Sequence, residues 1–372
     1  MRYNNLTKKY LILSFIVSFC IFTSPLALLT KGHFYYLIVI FIPIAFVVIS
    51  LFYNKLKIHI SFLVLIIVVI GIIIYSLLSN VDNYRGAFYG VLAIFNLLMA
   101  HWLVNQPTFL LYKVSLASLL FFYIFFILSG IKYGFSPIDL ENFFLNSSRN
   151  MVSASVLILQ IMYSVIYYRV NKKLPLLTPI ITLLICILAY GRSGIFLSSA
   201  VLLYSIYKNY SIVALIKYSS IILIIPIISL NILDIGIESI FSAIVEKTNL
   251  SSGLKSSRKD MIYDYIKSMN LESFIFGYDL SKIPSIAFYN NNPHNSYILN
   301  HSRYGLLYFI FILYLFFLVL YEWVKEPGKS VYVILLLILL IRAAIDSMAL
   351  FGFYDFVYFI LFYFIVSSKA NQ

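Results

Sequence analysis

The stretch Pro293-His294-Asn295-Ser296-Tyr297 sets a histidine among polar and aromatic residues, just after a polar interval and just before an apolar run. Imidazole titrates near neutrality, so His294 could take a proton from a hydroxyl nucleophile. Asn295 could orient either the histidine or a sugar hydroxyl. Gly305 lies eleven residues beyond His294, and Tyr308 three further. At that spacing their faces coincide near the start of a helix, and the glycine allows tight helix contact, so the pair reads as architectural. A lone histidine is itself more often structural than catalytic, and the stretch alone leaves both readings open. His301 lies seven residues on and could share a helix face with His294. No acidic or cysteine ligand set accompanies the two, so no metal is expected.

Two arginines offer anion chemistry. Arg192 sits in Gly191-Arg192-Ser193-Gly194 between two apolar runs. Its planar fork suits phosphate oxygens and the glycines permit close approach, although a snorkelling interfacial arginine explains it equally simply. Arg258 lies in Ser256-Ser257-Arg258-Lys259-Asp260, at the expected start of a short helix. Serines there could cap the helix, and a helix N-terminus with two cations favours an anion; the plainer reading is a solvated basic cluster. Lys255, Lys259, Lys267 and Lys282 add positive charge that would draw a pyrophosphate. Arg342 and Asp346 stand one turn apart and are expected to pair. Tyr278, Tyr297 and Tyr304 could stack on a sugar ring, whereas the 32 tyrosines and 33 phenylalanines at large fit interfacial belts.

These residues must be positioned by membrane helices. The chain of 372 residues is 62% hydrophobic and only 11% charged, with mean hydropathy +0.96. Soluble domains run at roughly 45–50% and about 25%. Continuous apolar runs near bilayer length, without alternation, exclude a barrel and predict an all-α integral membrane protein. Spans are expected near 10–29, 34–53, 58–78, 86–104, 110–129, 151–168, 174–190, 194–208, 211–232, 304–323, 330–348 and 350–368, about 12 transmembrane helices. The first run follows Arg2, Lys8 and Lys9 but shows no small-residue cleavage signal, and is read as a retained helix. Cys20 and Cys186 both lie in apolar runs and are expected to pack rather than pair.

Basic residues in the loops set the orientation. Arg2, Lys8, Lys9, Lys55, Lys57, Lys113, Lys172, Lys173 and Lys208 gather on one side, which is read as cytoplasmic together with both termini. The net charge of +13 belongs to this pattern rather than to nucleic-acid binding. Residues 1–232 then hold the first nine spans and 298–372 the last three, within one membrane domain. Between them 233–297 form a long outer loop of roughly 65 residues. Inside it Ile262, Tyr263 and Ile266 recur at helical spacing between Lys259 and Asn270.

His294, Asn295, Gly305 and Tyr308 together fit a motif of the bacterial O-antigen ligase and Wzy-type polymerase superfamily, and the chain resembles that family. The motif is histidine, then asparagine, serine or glutamine, nine residues, glycine, two residues, then glycine, threonine or tyrosine. Gly191-Arg192-Ser193-Gly194 looks like the family's mid-chain outer arginine. Ser256-Ser257-Arg258 is similar to its Ser-Gly-Arg element, with serine in place of glycine. The resemblance implies a GT-C-type membrane glycosyltransferase acting at the outer face of the bacterial cytoplasmic membrane. It needs neither a nucleotide-sugar nor a metal or other cofactor. Its donor would be an undecaprenyl-pyrophosphate-linked glycan, with a chain-length regulator as a further partner that the resemblance allows. Arg192 and Arg258 would hold the pyrophosphate and His294 would activate the acceptor hydroxyl. Asn295, Lys259, Tyr297 and Arg303 would bind substrate. The short chain and the Pro-His-Asn-Ser-Tyr wording favour a polymerase of repeat units, of O antigen or capsule, over a ligase acting on lipid A core. A lipid-linked glycan flippase is the rival from another class, but it would show two related halves and short loops.

Overall fold

The computed structural model describes residues 2–31, 43–50, 60–78, 83–136, 139–144, 149–210, 213 and 257–366. Among these, regular structure is helical throughout, with no strand. In chain order the helices are α1 (Arg2–Lys31), α2 (Ile60–Leu78), α3 (Asn83–Val104), α4 (Thr108–Tyr133), α5 (Arg149–Asn171), α6 (Leu177–Leu188) and α7 (Arg192–Tyr210). After these come α8 (Ser257–Ser268), α9 (Leu271–Phe276), α10 (Pro284–Ala287), α11 (Ser296–Lys325), α12 (Ser330–Ala343) and α13 (Asp355–Val366). Four of them, α3, α4, α5 and α11, contain stretches long and apolar enough to cross a membrane. The span expected at 211–232, apart from residue 213, and the loop at 233–256 lie outside the described residues, as does most of the span at 34–53, of which 43–50 is helical.

The chain divides into two compact units. Unit 1 comprises Met1–Val39 and Pro107–Lys255. In it α5 packs against α4, α6 and α7, while α1 packs on α4. Helices in lipid gain little from apolar contact with one another and rely on packing and polar contacts. Here the Tyr123 hydroxyl of α4 lies 2.9 Å from the Thr178 carbonyl and 2.9 Å from Thr182 Oγ1 of α6. Thr182 in turn donates to Gln160 Oε1 of α5 at 3.2 Å, and Gln160 Nε2 donates to Ser164 at 2.8 Å. Cys20 and Cys186 are both free thiols.

Unit 2 comprises Ile40–Gln106 and Ser256–Gln372. α3 packs between α2 and α13, and α11 contacts α2, α12 and α13. α11 begins at Ser296, eight residues before the span expected from hydropathy, because Asn300, His301, Ser302 and Arg303 are all buried within the unit. Tyr265 Oη lies 2.6 Å from His301 Nδ1, and His301 Nε2 lies 3.0 Å from the Phe274 carbonyl. A carbonyl only accepts, so Nε2 carries the proton and Nδ1 accepts from the phenol. Both ring nitrogens are thus engaged in tying α8 and α9 to α11.

Gly305 interrupts α11 at φ 56° and ψ −148°. That conformation is essentially open to glycine alone, and a Cβ there would sit 1.9 Å from the Ile275 carbonyl oxygen of α9. Gly277, at φ 94°, meets the Ser302 carbonyl at 2.3 Å in the same sense. The backbones of α9 and α11 therefore touch directly. Tyr75 of α2 secures the junction, donating to the Ile275 carbonyl at 2.7 Å and stacking on Phe276. α8 forms where the helical spacing of the sequence places a short surface helix. Met261 and Tyr265 are buried against Leu280, Ile283 and Ile286, whereas Ile262, Tyr263 and Ile266 point outward.

Residues 344–354 form an irregular connection where the sequence predicts almost unbroken helix. Leu350 and Phe351 adopt φ 58° and 91°, uncommon for bulky side chains. Asp355, fully buried at the start of α13, holds them by accepting from the backbone N–H groups of Leu350 (2.8 Å), Phe351 (2.6 Å) and Gly352 (2.8 Å). Asn300 donates to the Ala349 and Leu350 carbonyls, and Asn96 donates to that of Gly352 at 3.0 Å. Every one of these side chains answers a backbone group that a helix would otherwise have satisfied.

Candidate functional site

The motif histidine lies just before α11, not on it, so His294 and His301 do not share a helix face. Asn295 is the N-cap of α11, its Oδ1 accepting from the backbone N–H of Tyr297 (2.9 Å) and Ile298 (3.1 Å). That commits the asparagine oxygen to the helix start. His294 adopts φ 49° after Asn290 and Asn291, also in the left-handed region at 55° and 60°. Asparagine tolerates that region better than most residues. The turn is fixed by side chains: Asn292 Oδ1 accepts from the His294 N–H at 2.9 Å and from Ser347 Oγ at 2.8 Å. Ser347 Oγ itself accepts from the Asn295 N–H at 3.1 Å.

Ser296 completes the clasp. Its hydroxyl donates to the Asp346 carbonyl and accepts from the N–H groups of Met348 (3.0 Å) and Ala349 (3.1 Å). The Pro-His-Asn-Ser-Tyr stretch is therefore fastened along the connection 346–349, which Asp355 stiffens from its other end.

The charges converge on Asp346. Arg342 pairs with Asp346 Oδ2 one helical turn away, as the spacing predicts, and is itself 1% exposed. Arg258, from the start of α8, approaches Asp346 Oδ1 at 3.7 Å while keeping 30% of its side chain exposed. The half-buried His294 ring stands edge-on to Tyr289 with centroids 5.8 Å apart, and among the described residues neither ring nitrogen takes a hydrogen bond. Burial lowers its pKa below the usual histidine value, Arg258 lowers it further, and Asp346 opposes both. At neutral pH the imidazole is uncharged and has a lone pair to offer. The arrangement can accept a proton at His294 beside the Arg258–Asp346 ion pair.

The remaining residues singled out from sequence have distinct places. The Tyr297 hydroxyl donates to the Leu340 carbonyl at 3.1 Å, joining α11 to α12. Tyr304 donates to the Gly86 carbonyl at 2.7 Å, and buried Tyr308 lies beside Asn300 and Phe351. Arg303 is buried with its guanidinium 4.7 Å from the Tyr89 ring centre. Lys259 is exposed on α8. Arg192 opens α7 in unit 1, whereas His294, Arg258 and Asp346 belong to unit 2. The glycines flanking Arg192 face Ser153 of α5, whose side chain a Cβ would meet at 2.8 Å from Gly191 and 2.5 Å from Gly194.

Sequence reasoning placed Asp355 near the outer end of the last span and Asn292 in a turn but gave neither a role, missed Ser347, and gave Asp346 only its local partner. Ser347 and Asn292 carry no pattern of their own; Asp355, a carboxylate at the edge of an apolar run, was the visible signal. Compared with known proteins, the chain matches no family model, no curated protein and no solved structure.

Proposed function

We propose that the chain is a membrane glycosyltransferase of the O-antigen polymerase type. It joins undecaprenyl-pyrophosphate-linked oligosaccharide repeat units at the outer face of the bacterial cytoplasmic membrane. The proposal includes about twelve spans in a GT-C-type fold. The observation that carries it is the half-buried His294 imidazole, whose ring nitrogens take no hydrogen bond among the described residues, close to Arg258 and Asp346.

In the reaction proposed, His294 takes the proton of an acceptor sugar hydroxyl as its oxygen attacks the donor's anomeric carbon. The bond from that carbon to the pyrophosphate oxygen breaks, and configuration inverts. Negative charge grows on the departing undecaprenyl pyrophosphate, where Arg258 supplies opposing charge. Asp346 Oδ1 lies 3.7 Å from the Arg258 guanidinium and helps to hold it at the start of α8. Lys259 and Arg303 add positive charge for the donor, while Asn295 and Tyr297 act by fixing the start of α11.

The surface glycan of a deletion strain tests the class of reaction. Loss of polymerisation leaves single repeat units on an otherwise intact surface, as expected here. Long polymer retained on the lipid carrier and absent from lipid A core would identify a ligase instead.

A further inference from the structure

We infer that α9 and the outward face of α8 are seated in the headgroup boundary of the lipid bilayer, so that this loop is a membrane-surface element. The inference is independent of the reaction proposed above. It begins from α11, which Gly305 interrupts: the 306–325 segment alone rises about 30 Å at 1.5 Å per residue, matching a hydrocarbon core of about 30 Å, so the residues before Gly305 are in excess. The excess lies at its N-terminal end, where Asn300, His301, Ser302 and Arg303 are buried in protein. Exposed apolar side chains on α11 begin only at Leu307 and continue to Val324. Gly305 therefore marks the edge of the hydrocarbon band.

α9 crosses α11 at that level, its Ile275 carbonyl against Gly305. α2 gives the same depth independently, since Tyr75, which bonds that carbonyl, lies three residues from the end of an apolar helix of 19 residues. At this depth Leu271 is 77% exposed and Phe274 41%, and Leu78 and Leu307 are exposed as well. Water would meet these side chains at a cost of roughly 1.5–3 kcal/mol for each one fully exposed, which the acyl boundary removes. Only Met269 and Asn270 separate α9 from α8, where Tyr263 and Ile266 are 63% and 59% exposed. Lys267 sits 6.0 Å from the Tyr263 ring centre, and Lys259 and Lys282 are also exposed. Apolar and aromatic side chains edged by lysine are the composition of an interfacial helix.

The test uses the full chain in phosphatidylcholine vesicles containing phosphatidylglycerol, with Cys20→Ala and Cys186→Ala as background. Single cysteines at Leu271, Phe274, Lys282 and Ile310 carry a nitroxide, and collisions with oxygen, which concentrates in lipid, are compared with those of a water-soluble nickel chelate. Ile310 on the exposed face of α11 reports insertion, and Lys282 reports water. We expect the Leu271 and Phe274 labels to collide preferentially with oxygen, on the same side of the ratio as Ile310. Collision ratios matching Lys282 would overturn the inference, and so would protection from both reagents, which would mean a protein partner covers the face.

Discussion

Gly305→Ala should be strongly destabilising, for reasons the geometry makes quantitative. The added Cβ would lie 1.9 Å from the Ile275 carbonyl oxygen and 2.8 Å from its carbon, both backbone atoms that no rotamer change can move. Its φ of 56° with ψ of −148° costs an alanine of order 1–3 kcal/mol by itself. Displacing α9 to make room adds roughly 1–3 kcal/mol, the usual range for overpacking. The displacement also breaks the 2.7 Å bond from Tyr75 to that carbonyl, a further loss of about 0.5–1.5 kcal/mol. The sum is about 2.5–7.5 kcal/mol, roughly half of the 5–15 kcal/mol by which proteins are commonly stable. Gly71→Ala on α2 is the matched control, since nothing lies within 4 Å of its Cβ, and it should be neutral or slightly stabilising. Thermal unfolding of the two variants in the same detergent decides the matter. Equal midpoints for Gly305→Ala and the parent chain would refute the close contact of α9 with α11.

Four more outcomes follow from other contacts. Asp355→Ala orphans three buried N–H groups, and at about 1–3 kcal/mol each it should lower thermal stability and abolish activity; Asp355→Asn should retain part of both. Lys329→Met leaves Glu322 and Glu326 without their buried cation and should cost about 3–5 kcal/mol, whereas adding Glu322→Leu should restore most of the loss in the same melt. Because the His294 pKa is lowered, its base form persists below the usual histidine range, so activity should hold as pH falls through 6.5 and fail only at lower pH. Arg258→Gln removes a cation that lowers that pKa, so the acid limb of its pH–rate profile should move to higher pH; an unmoved limb would separate the titrating group from Arg258.

Hydropathy and spacing anticipated the long apolar helices and α8, missed the short α9 and α10, and misjudged helix ends where buried polar side chains act at long range. α11 starts at Ser296 rather than 304 because His301 is satisfied by Tyr265 and Phe274, partners distant in sequence. The apolar stretch Met348-Ala349-Leu350-Phe351-Gly352 reads as helix, yet Asp355, Asn300, Asn96 and Ser296 supply the partners that let its backbone depart from one. The same reach explains α8, where Tyr265 turns inward toward His301 and so exposes Ile262 and Ile266, which are equally apolar in sequence. Within the candidate site, Arg342 with Asp346 was legible because the pair is one turn apart. Arg258 with Asp346 was not, since only folding brings α8 to the end of α12. The clasp of Ser296, Ser347 and Asn292 uses residue types too common to stand out.

The central claim is that His294 serves as the base in glycan elongation. Purified chain in proteoliposomes, supplied with undecaprenyl-pyrophosphate-linked repeat units, should lengthen them into a ladder. His294→Ala should slow elongation by about 10²–10⁴-fold, the usual contribution of a general base, without altering the thermal midpoint by more than a few degrees. A ladder formed at the parent rate by His294→Ala, or translocation of the lipid-linked units without elongation by the parent chain, would contradict the account.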